Sequence, residues 1–167
     1  LGLPWCATSL CLVVGGVPAV AMVANLATGA RYTAVRGGGA TLDGQPISID
    51  SAATLDDAVI AISGSPDHHY GWRQFRAMGA SALDVCAVAS GSFDGFVDMS
   101  RDAHGVWDYV GAVLVVREAG GVVVDALGRD LVVLDHTARR TPIAATSTAL
   151  LDELLVHRSS EPAGPPR

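Results

Sequence analysis

The chain has few cysteines and few aromatic residues. Its 167 residues include three cysteines, Cys6, Cys11 and Cys86, with no Cys-x-x-Cys pair, and aromatic residues make up 5% of the chain. A sparse, odd number of cysteines argues against a disulfide framework and favours the reducing cytoplasm. We therefore expect a cytoplasmic protein in which these thiols are small core residues.

Basic charge is scarce as well. Lysine and arginine number 11 against 17 aspartates and glutamates, which gives a formal net charge of −6 and a pI near 5.1. A protein that binds the phosphate backbone needs a basic surface, so we do not expect a nucleic-acid partner. An acidic protein that acts on a phosphorylated substrate needs a cation to screen the charge, and the composition is compatible with such a metal-dependent site.

A membrane span is the first alternative for the N-terminal region, because no charged residue occurs between Leu1 and Ala30. About 20 apolar residues can cross a bilayer. Here residues 15–18 (GGVP) interrupt the run, and polar Thr8 and Asn25 lie within it. Two buried strands joined by a tight turn explain this pattern better, so we expect no membrane association. A signal peptide is not expected either, since the start lacks basic residues.

Apolar runs and turn residues predict a layered α/β fold. Strands are predicted over residues 5–14, 18–26, 31–35, 47–49 (a short edge strand), 58–63, 93–99, 122–125, 131–134 and 142–145. Helical segments are predicted over residues 72–77, 80–90, 108–118 and 147–157, with Ser147 or Thr148 as the last N-cap. Residues 40–42 are expected in irregular turns. The organisation predicted is an antiparallel sheet over 1–62, a second α/β portion over 63–157 and a disordered tail over 158–167.

The most informative stretch is WDYVGAVLVVREAGGVVVD, residues 107–125. Asp108 is predicted to open a short apolar helix that ends at Gly120-Gly121. An aspartate at a helix start can cap the backbone, and it can also offer an oxygen to a metal or phosphate site. From the residues alone the plain N-cap is the more ordinary interpretation.

This stretch resembles the second signature of the inositol monophosphatase family, a WD-x-AA-G run followed by LV-x-EAGG. Further segments resemble the family in the same order, so that the resemblance extends from about Gly2 to Leu155: residues 2–5, 32–40, 43–47, 76–84 and 91–96. It implies the α/β (α+β) layered sandwich of inositol monophosphatases and fructose-1,6-bisphosphatases. It also implies Mg²⁺-dependent hydrolysis of a small sugar or polyol phosphate monoester, by a homodimer in the full-length form.

The resemblance assigns roles to single positions. Asp108 matches a metal ligand, in keeping with the preference of Mg²⁺ for carboxylate oxygens. Glu118 is expected to cap or pair structurally. Gly79, Ala80 and Ser81 match a turn that lies against the sugar or inositol ring. The family usually has Ser or Thr directly after the glycine, whereas this chain has Ala80 there and a serine one place later. Tight helix packing is the alternative role of this turn.

Asp98 matches the acidic residue that holds substrate hydroxyls; the alternative is a solvent-facing charge at a strand end. The loop over residues 100–105 is longer than in common family members, so that Arg101, Asp102 and His104 could line the pocket. The His68-His69 pair lacks the spaced partners of a zinc site and is not assigned one.

The family's first signature, D-P-(I/L)-D-G-T, does not occur in the sequence. The resemblance implies that this motif supplies the other metal ligands, so no complete catalytic set is expected in this chain. Its start with leucine, directly before a strand, suggests a cut. We expect the chain alone to be inactive or nearly so. The alternatives are a degenerate structural or ligand-binding homologue, or a parent enzyme acting on fructose 1,6-bisphosphate, histidinol phosphate or adenosine 3′,5′-bisphosphate.

Overall fold

The computed structural model describes residues 2–50 and 53–159, with the side chain of Ser159 excepted. Ten strands form two five-stranded sheets. The first sheet is an antiparallel meander of β1 (Ala7–Val14), β2 (Val17–Asn25), β3 (Arg31–Val35), β4 (Gly39–Leu42) and β5 (Gln45–Ile47), in that spatial order. The second has the order β7-β6-β8-β10-β9, from β6 (Val59–Ser63), β7 (Gln74–Arg76), β8 (Gly95–Asp98), β9 (Val122–Asp125) and β10 (Pro142–Ala145).

The meander follows from its turns. The β1–β2 turn places Gly15 at φ 58° and Gly16 at φ 80°, and the β4–β5 turn places Asp43 at φ 52° and Gly44 at φ 80°. Two successive residues with positive φ are typical of the two-residue turn whose twist matches a hairpin. The predicted strands over 5–14, 18–26 and 31–35 are confirmed. Residues 40–42, predicted as irregular turns, instead form β4, which pairs with β3 through Thr33 and Thr41.

Three helices complete the layers: α1 (Ser81–Ala89), α2 (Val110–Glu118) and α3 (Thr148–Ser159). Helices α1 and α2 lie between the two sheets, and nearly every residue of both is buried. Small side chains allow this close approach, because a Cβ on Gly111 would come within 3.0 Å of Ser9 Oγ on β1. Helix α3 covers the far face of the second sheet, with Leu150 and Leu154 in a second apolar cluster. The layered α/β fold is therefore confirmed.

Four sequence predictions on element boundaries need correction. Residues 72–77 contain β7, a strand parallel to β6, rather than a helical turn. Strand β6 belongs to the second sheet, so the antiparallel sheet ends at Ile47 and does not reach residue 62. Residues 131–134 form no strand. Tyr109 Oη donates to the carbonyl of Leu131 at 2.9 Å, so this carbonyl is not available for pairing with a neighbouring strand.

The fourth correction concerns residues 158 and 159, which lie in α3 although they were placed in the predicted disordered tail. The rest of that tail, residues 160–167, is outside the described residues. Ser147 is confirmed as the cap of α3, since its Oγ accepts from Leu150 N at 3.2 Å. Across the described residues, no helix is both long and apolar enough to cross a membrane.

Candidate functional site

The N-terminus of α1 presents unsatisfied backbone donors. Gly79, at φ 93°, turns the chain into the helix, and Ala80 occupies the N-cap position without a side-chain oxygen. Leu83 N donates to the carbonyl of Ala80, but the N–H groups of Ser81 and Ala82 make no hydrogen bond within the described residues. First-turn N–H groups of this kind suit a polar or anionic group. An alanine at the cap therefore leaves two donors available to a ligand.

Asp98, the last residue of β8, is fully buried. Its Oδ1 accepts from Ser100 N at 2.9 Å, and its Oδ2 pairs with His104 Nδ1 at 2.7 Å. The alternative of a solvent-facing charge is therefore wrong, because a buried carboxylate needs the partners that the following loop supplies. The predicted role of Asp98 in holding substrate hydroxyls stays a prediction. In this structure its carboxylate is bonded to Ser100 N and His104, and His104 also contacts Ser81 on α1.

His104 joins Asp98 to helix α1. Its Nε2 lies 2.6 Å from Ser81 Oγ and 3.4 Å from Ser63 Oγ, while its Nδ1 faces Asp98. The backbone is fixed as well, since His104 and Arg140 exchange N–H···O hydrogen bonds of 3.3 and 2.9 Å. Two residues predicted separately, Ser81 and Asp98, are thus brought together by a third.

Acidic neighbours dominate the electrostatics of His104. Burial lowers the pKa of the imidazole, but the hydrogen bond and charge of Asp98 outweigh burial, with further contributions from the charges of Asp108 and Asp84. The net effect is a pKa above its ordinary value. Three carboxylates, each from a different element, therefore raise the pKa of the same imidazole.

Asp84 is a buried acid on α1, and its environment differs from that of Asp98. Trp5 Nε1 donates to its Oδ1 at 2.8 Å, whereas its Oδ2 has no hydrogen-bond partner among the described residues. Burial raises the pKa of Asp84 to about 6, opposed by the hydrogen bond from Trp5, by the nearby backbone of Ala80 and Gly79, which makes no hydrogen bond of ordinary geometry to the carboxyl, and by the charge of His104. The carboxyl thus favours its neutral form far more than an exposed aspartate does.

Asp108 does not open α2, and this part of the sequence prediction is wrong. It ends a short 3₁₀ turn, Val106–Asp108, and α2 begins after Tyr109, which makes no side-chain capping bond. Asp108 Oδ2 accepts from Gly105 N at 2.9 Å. Gly105 leaves no room for a side chain, because a Cβ there would lie 2.3 Å from the Trp107 ring. The turn therefore fixes the Asp108 carboxylate beside the loop that carries His104.

The donor chemistry of Asp108 suits one position of a magnesium site. The carboxylate is partly exposed, and its Oδ1 makes no hydrogen bond with the described residues. Mg²⁺ is bound by carboxylate oxygens together with waters and substrate oxygens. Within residues 2–50 and 53–159, however, no group of three or more His, Cys, Asp and Glu side chains converges to hold a metal. Among these residues Asp108 is therefore a single candidate oxygen donor, and no complete metal site is formed.

Glu118 has the structural role predicted for it. Its Oε1 accepts from Gly37 N at 2.9 Å and its Oε2 accepts from Gly39 N at 3.0 Å. The carboxylate therefore ties the end of α2 to the β3–β4 turn. The two glycines that follow are needed for different reasons. Gly120 adopts a φ of 95°, which favours glycine, and Gly121 leaves space for Ile49, because a Cβ there would lie 2.6 Å from that side chain.

The remaining candidate residues take no part in this arrangement. Asp102 is exposed and pairs with Arg129 Nη2 at 2.6 Å, and Arg101 is exposed too. His68 pairs with Asp67 at 2.6 Å and stacks on Tyr70. Of the three loop residues predicted to line the pocket, only His104 joins the site.

Sequence reasoning assigned no partner to His104 and gave no role to Asp84. The burial of Asp84 could have been predicted from the sequence. The helix ASALDVCAVAS is apolar on nearly every face, so its single acidic residue is expected to be buried whichever face packs against the core. The signal for His104 was weaker. Its pairing depends on how the 99–105 loop folds back onto α1, and sequence spacing does not encode that path.

Comparisons with known proteins identify a family for this chain. The sequence matches the Inositol monophosphatase family over residues 1–162. It is 31% identical to Inositol monophosphatase 3 of Solanum lycopersicum over 92% of this chain and 60% of that protein. It is 37% identical to the Inositol-1-monophosphatase of Rhizobium meliloti (strain 1021) over 76% of this chain and 52% of that protein.

Solved structures show the same fold. A Pyrococcus horikoshii protein with similarities to inositol-1 monophosphatase superposes with a TM-score of 0.85 at 26% identity, covering 93% of this chain and 63% of that one. The chain spans about half to three-fifths of the length of the curated relatives it matches. On the family match over residues 1–162 and these similarities, the chain belongs to the inositol monophosphatase family of sugar-phosphate phosphatases.

Proposed function

We propose that the full-length gene product carrying residues 1–167 hydrolyses a small sugar or polyol phosphate monoester with Mg²⁺. The observation that carries this proposal is the position of Asp108. Its carboxylate is held by Gly105 N, in the loop that also brings His104 onto Asp98 and Ser81. The proposed metal ligand therefore lies on the same loop as His104, and His104 contacts Asp98 and Ser81, which are proposed to bind the substrate ring.

Asp108 would hold the metal through its carboxylate. A bound Mg²⁺ supplies Lewis acidity at the phosphoryl group and activates water. The residues of this chain hold the Asp108 carboxylate in position. Gly105 N donates a hydrogen bond to it, and the Trp107 ring packs against Gly105, where a side chain would not fit. Any further metal ligands would have to lie outside the described residues, since no group of three converges within them.

The groups around α1 suit the hydroxyls of a polyol. The free N–H groups of Ser81 and Ala82 donate, and the Ser81 hydroxyl both donates and accepts. Asp98 orients the imidazole of His104 so that Nε2 points to the same place. This set supports a ring with several hydroxyls as the substrate, and His104 is the residue through which Asp98 would act on it.

The experiment is phosphate release by purified full-length gene product. Inositol 1-phosphate, fructose 1,6-bisphosphate, histidinol phosphate and adenosine 3′,5′-bisphosphate are compared at equal concentration, with Mg²⁺ and with EDTA. We expect Mg²⁺-dependent release that is fastest for a polyol or sugar phosphate and absent in EDTA. Release that is unchanged by EDTA, or no release from any of a broader panel of sugar phosphates, would contradict the proposal.

A non-catalytic role is the second candidate. It is favoured by one observation, namely that no three metal-binding side chains converge among the described residues. A homologue of this kind would bind a sugar phosphate without hydrolysing it. Calorimetric titration with the same substrates separates the two cases, because binding without phosphate release supports the non-catalytic protein.

A further inference from the structure

Ser81, His104 and Asp98 have the connectivity of an activated serine. The imidazole Nδ1 faces the buried carboxylate at 2.7 Å and Nε2 faces the serine hydroxyl at 2.6 Å. With Nδ1–H donating to Asp98, Nε2 is the nitrogen that accepts the Ser81 proton. A base next to the hydroxyl and an acid that orients the base are the two requirements for a nucleophilic serine.

The acid is firmly held in place. Asp98 Oδ1 accepts from Ser100 N, and its main-chain carbonyl accepts from Arg158 Nε at 3.1 Å. Arg158 Nη2 also donates to the carbonyls of Met99 and Ser100, each at 3.3 Å. Helix α3 therefore fixes the start of the loop whose far end carries His104.

An oxyanion site accompanies the serine. The N–H groups of Ser81 and Ala82 are free within the described residues, and they belong to the first turn of a nine-residue helix. Backbone donors at the nucleophile and at the residue after it can stabilise the negative oxygen of a tetrahedral intermediate. Ser81 is partly exposed, whereas His104 is 7% exposed, so the base is shielded more than the residue that carries the hydroxyl.

The surrounding charge selects the class of ligand. Asp98, Asp108 and Asp84 all raise the pKa of His104. Without a metal such a field disfavours a doubly charged phosphate monoester, whereas a neutral carboxylic ester experiences no such repulsion. We propose that Ser81 is a metal-independent nucleophile, with His104 as its base and Asp98 as the positioning residue, that cleaves small neutral esters.

The reaction is balanced with water as the only co-reactant. Ser81 Oγ forms a bond to the ester carbonyl carbon while its proton passes to His104 Nε2. The ester C–O bond then breaks, and the leaving alcohol takes that proton. Water repeats the sequence on the acyl serine, so the products are an acid, an alcohol and the free hydroxyl. This activity is independent of the Mg²⁺-dependent reaction proposed above.

The test is covalent labelling of the wild-type chain by a fluorophosphonate probe in EDTA. Attack by Ser81 forms an O–P bond and expels fluoride, so the adduct is found by mass spectrometry of the digested protein. We expect a single adduct on Ser81, and hydrolysis of p-nitrophenyl acetate that also persists in EDTA. A folded wild-type chain that gives no adduct, or an adduct only on another residue, overturns the proposal.

Variants separate catalysis from structure. Ser81→Ala should abolish labelling, and His104→Ala should slow it by about a hundredfold, the typical contribution of a general base. Ser48→Ala and His136→Ala are exposed controls whose side chains make no hydrogen bond to the described part of the chain, and they should label like the wild type. Equal labelling of Ser81→Ala and wild type contradicts the assignment. Phosphate release that fails while labelling succeeds would refute only the phosphatase proposal.

Discussion

At the scale of single residues, Asp84 and Asp98 are both buried acids, yet their partners differ. Asp98 has hydrogen bonds to both oxygens, from Ser100 and His104. Asp84 has one, from Trp5, and its other oxygen has no partner among the described residues. An unsatisfied buried carboxylate favours protonation, which makes the stability of this protein depend on pH at Asp84.

The sign of this dependence follows from the pKa of Asp84. The pKa of Asp84 is about 6 in the folded state and its ordinary value is 3.8, so between these pH values the folded state binds more protons than the unfolded state. The contribution of Asp84 to the free energy of unfolding therefore falls as pH rises from 4 to 6. We predict that Asp84→Asn raises the free energy of unfolding at pH 7 by roughly 1–3 kcal/mol.

Urea denaturation at pH 4, 5, 6 and 7 checks this prediction. The gain in Asp84→Asn over wild type should be small at pH 4 and should grow up to pH 7, since the amide cannot ionise and its oxygen can still accept from Trp5. Asp152→Asn, an exposed substitution on α3, should show no such trend. A difference between Asp84→Asn and wild type that does not change with pH would show that ionisation of Asp84 is not the cause.

The sequence was most informative for residues that lie inside a recognisable signature. The structural role of Glu118 was predictable from its place in the signature, although the identity of its two glycine partners was not. The pairing of His104 could not be predicted, because it joins residues 6 and 23 positions away through a loop with little regular structure. The predicted metal role of Asp108 stays a prediction.

At the scale of elements, the contact between α2 and the first sheet depends on Glu118. Its two oxygens accept from N–H groups of the β3–β4 turn, in a partly exposed position. We predict that Glu118→Ala lowers the free energy of unfolding by about 1–2 kcal/mol, because both hydrogen bonds are to a charged group. Chemical denaturation measures this loss.

Glu153→Ala is the matched control. Glu153 is exposed on α3, so its removal should change stability by less than about 0.5 kcal/mol. Equal effects of the two substitutions would mean that the contact between Glu118 and the turn adds nothing to stability.

Two element predictions failed because tertiary contacts decided the outcome. Residues 131–134 have the composition of a strand, but Tyr109 takes the Leu131 carbonyl and Arg140 Nε donates to the Asp130 carbonyl. Residues 74–76 become a strand because β6 offers them a parallel partner. The pairing begins with the hydrogen bond from Gln74 N to the carbonyl of Ala58. The helix or strand propensity of a short segment carries no information about such tertiary hydrogen-bond partners.

At the scale of the whole molecule, the sequence predicted the layered class because alternation and turn residues are local signals. The order of layers needed the structure: the first sheet, then α1 and α2, then the second sheet and α3. Strand β1 is an edge of the first sheet among the described residues, and it presents an apolar row. Leu10, Leu12 and Val14 are each more than half exposed.

This row predicts self-association of the isolated chain, since an exposed apolar edge strand can pair with a second chain. Leu12→Lys should shift the population toward the monomer, because a charge disfavours both pairing and apolar contact at the edge. Sedimentation velocity over a range of protein concentrations measures the shift. Val156→Lys, on α3 and equally apolar and exposed, is the control and should leave the association unchanged. A wild-type chain that is monomeric throughout would contradict the prediction.

The most direct test of the proposed phosphatase is the Mg²⁺-dependent kcat/KM of the Asp108→Asn variant in the full-length gene product. Asparagine can still accept from Gly105 N but cannot supply a charged oxygen to the metal. We predict a loss of about a hundredfold or more, with Asp152→Asn, an equal change of charge on α3, unaffected. An Asp108→Asn enzyme as active as wild type would contradict the assignment of Asp108 as a metal ligand.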